Sequence, residues 1–283
     1  MGLMLVYTFC CLGCSAVNDL VFKFFARKER SRGLFVSLVG VIGTILFFFL
    51  PDKVGTDWKM TLLWGIICGI FSAVGNILLI ESMSKLSAGV CSTIYRLNLP
   101  LVVPLSVLFF HEELHWQQGV GVALAILAVL LFLPGSSGSK QENSGSRLLP
   151  VIMILTACLF RAGLGLGCKY GPMVGASKNG MNLIIEILWI ISGLAYWFIK
   201  ERKSCKLDVK VIRYSIVSGV LVAGIIFFMM LALSVGNASV VLPIAQMSFL
   251  ATFIFSVIFL KEKVTYLKIA ALGCGVGAML LLG

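Results

Sequence analysis

The chain predicts an all-α integral membrane protein of ten transmembrane helices, arranged as two inverted five-helix repeats. Three observations predict this. Apolar residues make up 59% of the 283 residues and charged residues 12%, against roughly 45–50% and about 25% in soluble domains. A water-soluble fold of this length could not hide that much apolar surface. Second, residues 69–133 and 219–283 carry one pattern twice, 150 positions apart and without a gap. Gly69 meets Gly219, Ala73 meets Ala223, Ser84 meets Ser234, Ala88 meets Ala238, Phe109 meets Phe259 and Glu112 meets Glu262. Third, a polar Gly/Ser-rich linker over 135–147 separates 1–134 from 148–283, with five apolar runs on each side. Five is odd, so the second block enters the membrane from the opposite face, and the repeats are inverted.

The helices fall near residues 2–22, 32–50, 59–82, 88–110, 114–133, 148–170, 178–199, 210–234, 238–260 and 264–282. Most approach the ~20 apolar residues that cross ~30 Å of hydrocarbon. Each boundary coincides with charge or a turn signal: Arg27 to Arg30, Pro51-Asp52, Ser84-Lys85, His111 to Glu113, Gly171-Pro172 and Glu201 to Lys203. The first run lacks a basic n-region and a small-residue cleavage site, so it reads as a retained span. Gly65/Gly69, Gly163/Gly167 and Gly273/Gly277 are each four apart, on one helix face, where they let a neighbouring backbone approach. The density of Gly163, Gly165 and Gly167 also suggests a flexible or cavity-lining stretch.

The net charge of +11 sits in short clusters between spans, Lys23 to Arg32 and Lys200 to Arg213. That placement suits anionic headgroups, and nucleic acid is not expected as a partner. Most of the nine cysteines lie in apolar runs, where Cys acts as a small hydrophobe. Cys11-Leu-Gly-Cys14 has zinc-like spacing but no second pair or His cluster, so neither a metal nor a cofactor is expected. No phosphate-binding loop of the Walker type is visible. His111 and His115, with Glu112, read as a surface corner in preference to a metal site.

Charge at bilayer depth is costly, so each intramembrane ionisable residue is a functional candidate. Arg96 lies eight residues into its span, ~12 Å deep at 1.5 Å per residue, and its repeat mate is Gln246; Asn98 pairs likewise with Ser248. Pro100 and Pro243 free the carbonyls of Arg96 and Ser239. The expected substrate-binding set is Arg96, Tyr95, Asn98, Gln246, Asp19, Asn18, Arg161, Asn182 and Glu186, gathered about a shared central space. Local neutralisation competes with that reading: Asp19 with Lys23, Glu81 with Lys85, and Arg161 with Glu186. That pairing leaves Arg96 as the deep unpaired cation, an anchor for a carboxylate, with Glu186 as a proton site. Lys169 is expected to snorkel to the interface, and Glu112 and Glu262 to act as structural caps.

The stretch Lys85 to Pro100, with Ser106 to Glu112 and Gly119 to Val122, resembles the fourth and fifth helices of an EamA repeat; so do Gly236 to Pro243 and Ser256 to Glu262. The resemblance to the EamA-like family of the drug/metabolite transporter superfamily extends over nearly the whole chain. It departs in the first helix, where Asn18-Asp19 stands in place of the family's Trp-Gly. It implies a non-enzymatic, multi-pass protein of the cell membrane, bacterial inner membrane by the family's habit, that moves a small polar metabolite, an amino-acid-like or other organic anion, by alternating access. A lipid-linked-sugar or lipid-translocating subunit is the alternative, and a membrane-embedded enzyme a further one. The expected partners are a small solute, membrane lipid and a second copy of the chain. Loop Lys and Arg put both termini outside by the positive-inside rule, whereas the family's habit puts them in the cytoplasm.

Overall fold

The computed structural model describes residues 2–26, 30–50, 57–83, 95, 98–132, 148–201, 208–260 and 265–282. All its regular elements are helices: α1 (Gly2–Ala26), α2 (Arg32–Phe48), α3 (Trp58–Met83), α4 (Leu99–Phe110), α5 (Trp116–Phe132), α6 (Leu148–Met173), α7 (Lys178–Tyr196), α8 (Val209–Val235), α9 (Ala238–Gln246), α10 (Ser248–Leu260) and α11 (Tyr266–Leu282). A π turn, Trp197–Glu201, extends α7. Five of them are long and apolar enough to cross a membrane, over Gly2–Phe22, Trp58–Leu79, Leu149–Met173, Lys178–Glu201 and Val209–Val235, and the remainder are shorter apolar helices.

Packing joins the two halves of the chain more than it joins neighbours in sequence. α1 lies on α8 and α3 on α6; α3 lies on α7 and α2 on α8; α2 packs on α7 and α5 on α11. Each pair is its own counterpart, or maps onto another, when 150 is added to or taken from its residue numbers. The bundle has two ends. Asp57 N–H donates to the Gly175 carbonyl at one, and Ser82 Oγ donates to the Pro150 carbonyl at the other. Large apolar side chains such as Phe9, Phe48, Leu159, Ile199 and Leu280 stay exposed along the outside, as expected of surface facing lipid.

Small residues set how closely the helices approach. A Cβ on Gly33 would lie 2.7 Å from the Gly193 carbonyl oxygen and from the Trp197 nitrogen, so α2 and α7 meet at backbone distance. Gly33→Ala is expected to destabilise the fold by roughly 1–3 kcal/mol, the usual cost of overpacking. Thermal unfolding in detergent checks this, and an unchanged midpoint would mean the two helices separate freely. Gly65 and Gly69 admit Ile184 and Leu188 of α7, as their spacing predicted. Gly163 and Gly167 admit Phe71 and Cys68 of α3, and Gly165 admits Leu242 of α9. The dense glycines of α6 therefore serve packing. Gly277 meets Leu124 of α5, whereas Gly273 meets nothing within 4 Å.

The helix expected over 238–260 is two. α9 ends at Gln246 and α10 begins at Ser248, with Met247 N–H turned back to the Ile244 carbonyl at 3.0 Å. Pro243 lies within α9 and removes the N–H that the Ser239 carbonyl would have received, but the break comes one turn later. In the first half, Asn98 forms a turn before α4, with its carbonyl accepting from Leu101 and Val102 N–H. Backbone of this kind is tolerated at membrane depth where protein or a cavity surrounds it.

Candidate substrate site

Arg161 sits near the middle of α6, about 18–20 Å from either end at 1.5 Å per residue. Its guanidinium carbon is 5.7 Å from the centre of the Tyr95 ring. Tyr95, like Leu78 and Leu79 of α3, packs against Ile154 and Ala157 of α6. Arg161 is also within electrostatic reach of Cys11 on α1. These two positions are 150 apart, so equivalent points of the two halves meet here. Among the described residues Arg161 has no carboxylate partner. The expected Arg161–Glu186 pair is not made: the Glu186 carboxyl lies against Gly43 of α2, and neither of its oxygens has a hydrogen-bond partner.

The other candidates sort onto separate contacts. Asn18 accepts from Ser218 Oγ of α8 at 2.6 Å, and Asp19 accepts from Thr252 Oγ1 of α10 at 3.1 Å. One repeat on, Cys168 and Cys68 are in side-chain contact between α6 and α3, so the Asn18–Ser218 contact has its counterpart. Asn98 is buried and its Oδ1 has no partner, while Gln246 is half-buried at the end of α9. Asn182 and Glu186 lie on the buried face of α7, toward the bundle end that Asp57 and Gly175 mark. Asn18 and Asp19 lie toward the opposite end. Of the set, Tyr95 and Arg161 are in contact with each other, while Asn18 and Asp19 make their contacts with α8 and α10. Arg96, with Lys85 and Glu262, lies outside the described residues.

A second polar centre was not foreseen in this form. Glu112, in the connection between α4 and α5, accepts from Ala238 N–H at 2.8 Å, Ser239 N–H at 3.0 Å and Ser239 Oγ at 2.7 Å. It is a helix cap, as expected, but it caps α9 of the other half. Its Oε1 also meets Lys169 Nζ at 2.8 Å, and that ammonium donates to the Gly236 carbonyl at 2.8 Å. Lys169 therefore does not snorkel: a buried carboxylate and a helix-end carbonyl satisfy it within the protein. Burial acts to raise the Glu112 pKa, but the Lys169, Ser239 and Ala238 donors outweigh it and hold the carboxyl below its ordinary value. Glu81 pairs with Lys200 Nζ at 2.6 Å, and Lys85, its expected partner, lies outside the described residues.

Beside this centre opens a cavity of about 470 Å³, lined by Lys169, Lys178, Ser234, Gly236 and Asn237 among others. A hint was available in the sequence, since Lys169 is the repeat mate of Asp19 and Glu112 is one of the repeat identities. Spacing along a helix does not reveal contacts made between halves, so the centre itself was not legible.

Residues 2–133 match the EamA-like transporter family. An uncharacterized protein of Methanocaldococcus jannaschii is 28% identical over 106 residues, which span 37% of this chain and 77% of that one. A crystal structure superposes with a TM-score of 0.79 at 11% identity, covering 98% of this chain and 94% of the other. That last likeness is one of fold.

Proposed function

From the premise that this chain, through residues 2–133, is a member of the EamA-like transporter family of the drug/metabolite transporter superfamily, we propose that it is a secondary transporter of a small organic anion. The proposed substrate is an amino-acid-like or other carboxylate-bearing solute, carried by alternating access between two inverted repeats, 1–134 and 148–283. The observation that carries this is Arg161, a guanidinium at mid-span with an aromatic ring beside it and no carboxylate partner among the described residues. Such a group is costly to keep in low dielectric unless an anion visits it, and its fork suits a carboxylate. Packing that repeats under exchange of the halves supports the repeat architecture, as does the break of α9 from α10, since discontinuous helices line transporter sites. The lysines of the 470 Å³ cavity would draw anions toward one mouth. Arg96, next to Tyr95 in sequence, is the second candidate cation.

Counterflow in proteoliposomes tests the proposal, with radiolabelled glutamate and malate against glucose and choline. Saturable uptake of an acid is the expected result. Equal leakage of all four overturns it, and scrambling of a fluorescent phospholipid without solute flux would favour the lipid-translocating role instead.

A further inference from the structure

Glu186 is the most deeply enclosed acid among the described residues, at 0% exposure, and both its oxygens lack a partner. Asn182, one turn earlier and on the same face, is 1% exposed, and its amide oxygen and nitrogen also lack partners. Three such polar atoms or more on one face, with nothing satisfying them, is unusual inside a protein. α2 provides the room. A Cβ on Gly43 would fall on the Glu186 carboxyl, and one on Gly40 would lie 2.8 Å from the Glu186 carbonyl oxygen. The two glycines leave a slot that the carboxyl fills.

Among the described residues no charged side chain compensates it. The helices packed on α7 are α2, α3 and α8. α2 turns Gly33, Ser37, Gly40 and Gly43 toward it, and α3 turns Thr61, Gly65, Gly69 and Ser72. The charged and titratable groups of these helices stand elsewhere: Arg32 at the start of α2, Lys59 at the start of α3, Cys68 against Cys168, Glu81 on Lys200, and Lys210, Arg213 and Tyr214 in the first turns of α8. On α6, Arg161 is on Tyr95 and Lys169 on Glu112. On α7 itself, Lys178 begins the helix, Tyr196 ends it, and Lys200 lies in the turn beyond. An ionised carboxylate so enclosed would carry a large uncompensated desolvation cost, whereas the neutral acid fits. A hard metal ion takes about six oxygen ligands, far more than one carboxylate and one amide supply. The ligand that fits is a proton.

Access lies one turn away. A second cavity, of about 340 Å³, is lined by Phe47, Trp58, Asn179, Gly180 and Leu183 among others. Phe47 is four residues beyond Gly43 on α2, Leu183 is three before Glu186 on α7, and Phe47 is itself buried. We propose that Glu186, with Asn182, is a proton-binding site that couples the transport cycle to a proton gradient, and that it is reached from this cavity when the Phe47 layer opens. The proposal rests on the transporter reading. On opening, the acid O–H bond breaks and its proton passes to a cavity water. The carboxylate is then hydrated and accepts from the Asn182 amide, and it takes a proton back from water before it is enclosed again.

Two measurements on the full-length protein test this. Infrared difference spectra of the purified protein between acid and alkaline buffer need no substrate. The wild type is expected to show a carboxylic-acid C=O band that exchanges with pH and is absent from Glu186→Gln. Asn182→Leu is expected to move the loss of that band to higher pH, since the carboxylate loses its donor. A Glu186→Gln spectrum that superimposes on the wild type overturns the proposal. In proteoliposomes under an acid-outside gradient, Glu186→Gln is expected to lose accumulation of whichever labelled acid the wild type carries by about tenfold or more beyond any loss of counterflow. Gradient-driven accumulation retained in Glu186→Gln overturns the coupling alone. Absence of flux in the wild type overturns the transporter reading, and the coupling with it.

Discussion

Arg161→Gln is expected to lower carboxylate uptake by about 10–100-fold, the equivalent of the ~1.5–3 kcal/mol that a hydrogen bond to a charged group contributes. Glutamine keeps polarity but is shorter and loses the charge and the two-pronged geometry. Arg161→Lys keeps the charge without the fork, so it is expected to retain part of the uptake but with a weaker apparent affinity. Tyr95→Phe keeps the ring face 5.7 Å from the guanidinium and should behave nearly as wild type, whereas Tyr95→Leu removes a contact of about 0.5–2 kcal/mol. Initial-rate uptake in proteoliposomes, normalised to reconstituted protein, reads all four. Undiminished uptake in Arg161→Gln would rule out the anchor, and the same assay on Arg96→Gln would show whether the second cation carries it.

The largest stability effect is expected at Glu112. Its removal leaves the Lys169 ammonium buried against Gly236 with no counter-charge, and leaves the Ala238 and Ser239 N–H groups of α9 without their acceptor. Breaking a buried pair from one side costs about 3–5 kcal/mol, and a lost cap adds about 0.5–2 kcal/mol. Glu112→Ala should therefore unfold at a markedly lower temperature in detergent. Glu112→Gln/Lys169→Met should recover part of that loss, because it removes the stranded charge. An additive double variant would show that the two groups do not interact. The pH dependence has a definite sign. The folded carboxyl titrates below its ordinary value of 4.5, so its contribution is present above that value and is lost as the pH falls through the lowered folded one. Acid unfolding of the wild type should carry this slope, and Glu112→Gln should lack it.

Glu112 and Lys169 also show where a sequence reading stops. A Glu at a helix corner signals a cap, and that held; that its helix begins 126 residues later does not follow from any local pattern. Lys169, eight residues after Arg161 on α6, looked free to reach the interface. Whether a lysine snorkels depends on whether protein or lipid lies beside it, which is a property of packing. Glu81 illustrates the same point, since Lys200, 119 residues away in sequence, pairs with it. Pro243 marked a disturbed helix correctly, yet the break came one turn later, at Met247, whose N–H turns back to the Ile244 carbonyl.

Composition and apolar run length were sufficient for the membrane class and the all-helical fold, because each depends on solvent and chain geometry that act locally. The glycine spacing was sufficient for close helix approach, but not for which helix approaches. Partners across the two halves, and the positions of Glu186 and Arg161 with no charged partner among the described residues, came only with the tertiary structure. The physical reason is that a charge in low dielectric takes its energy from whatever stands within a few ångströms, and in this bundle those neighbours come mostly from the other half of the chain.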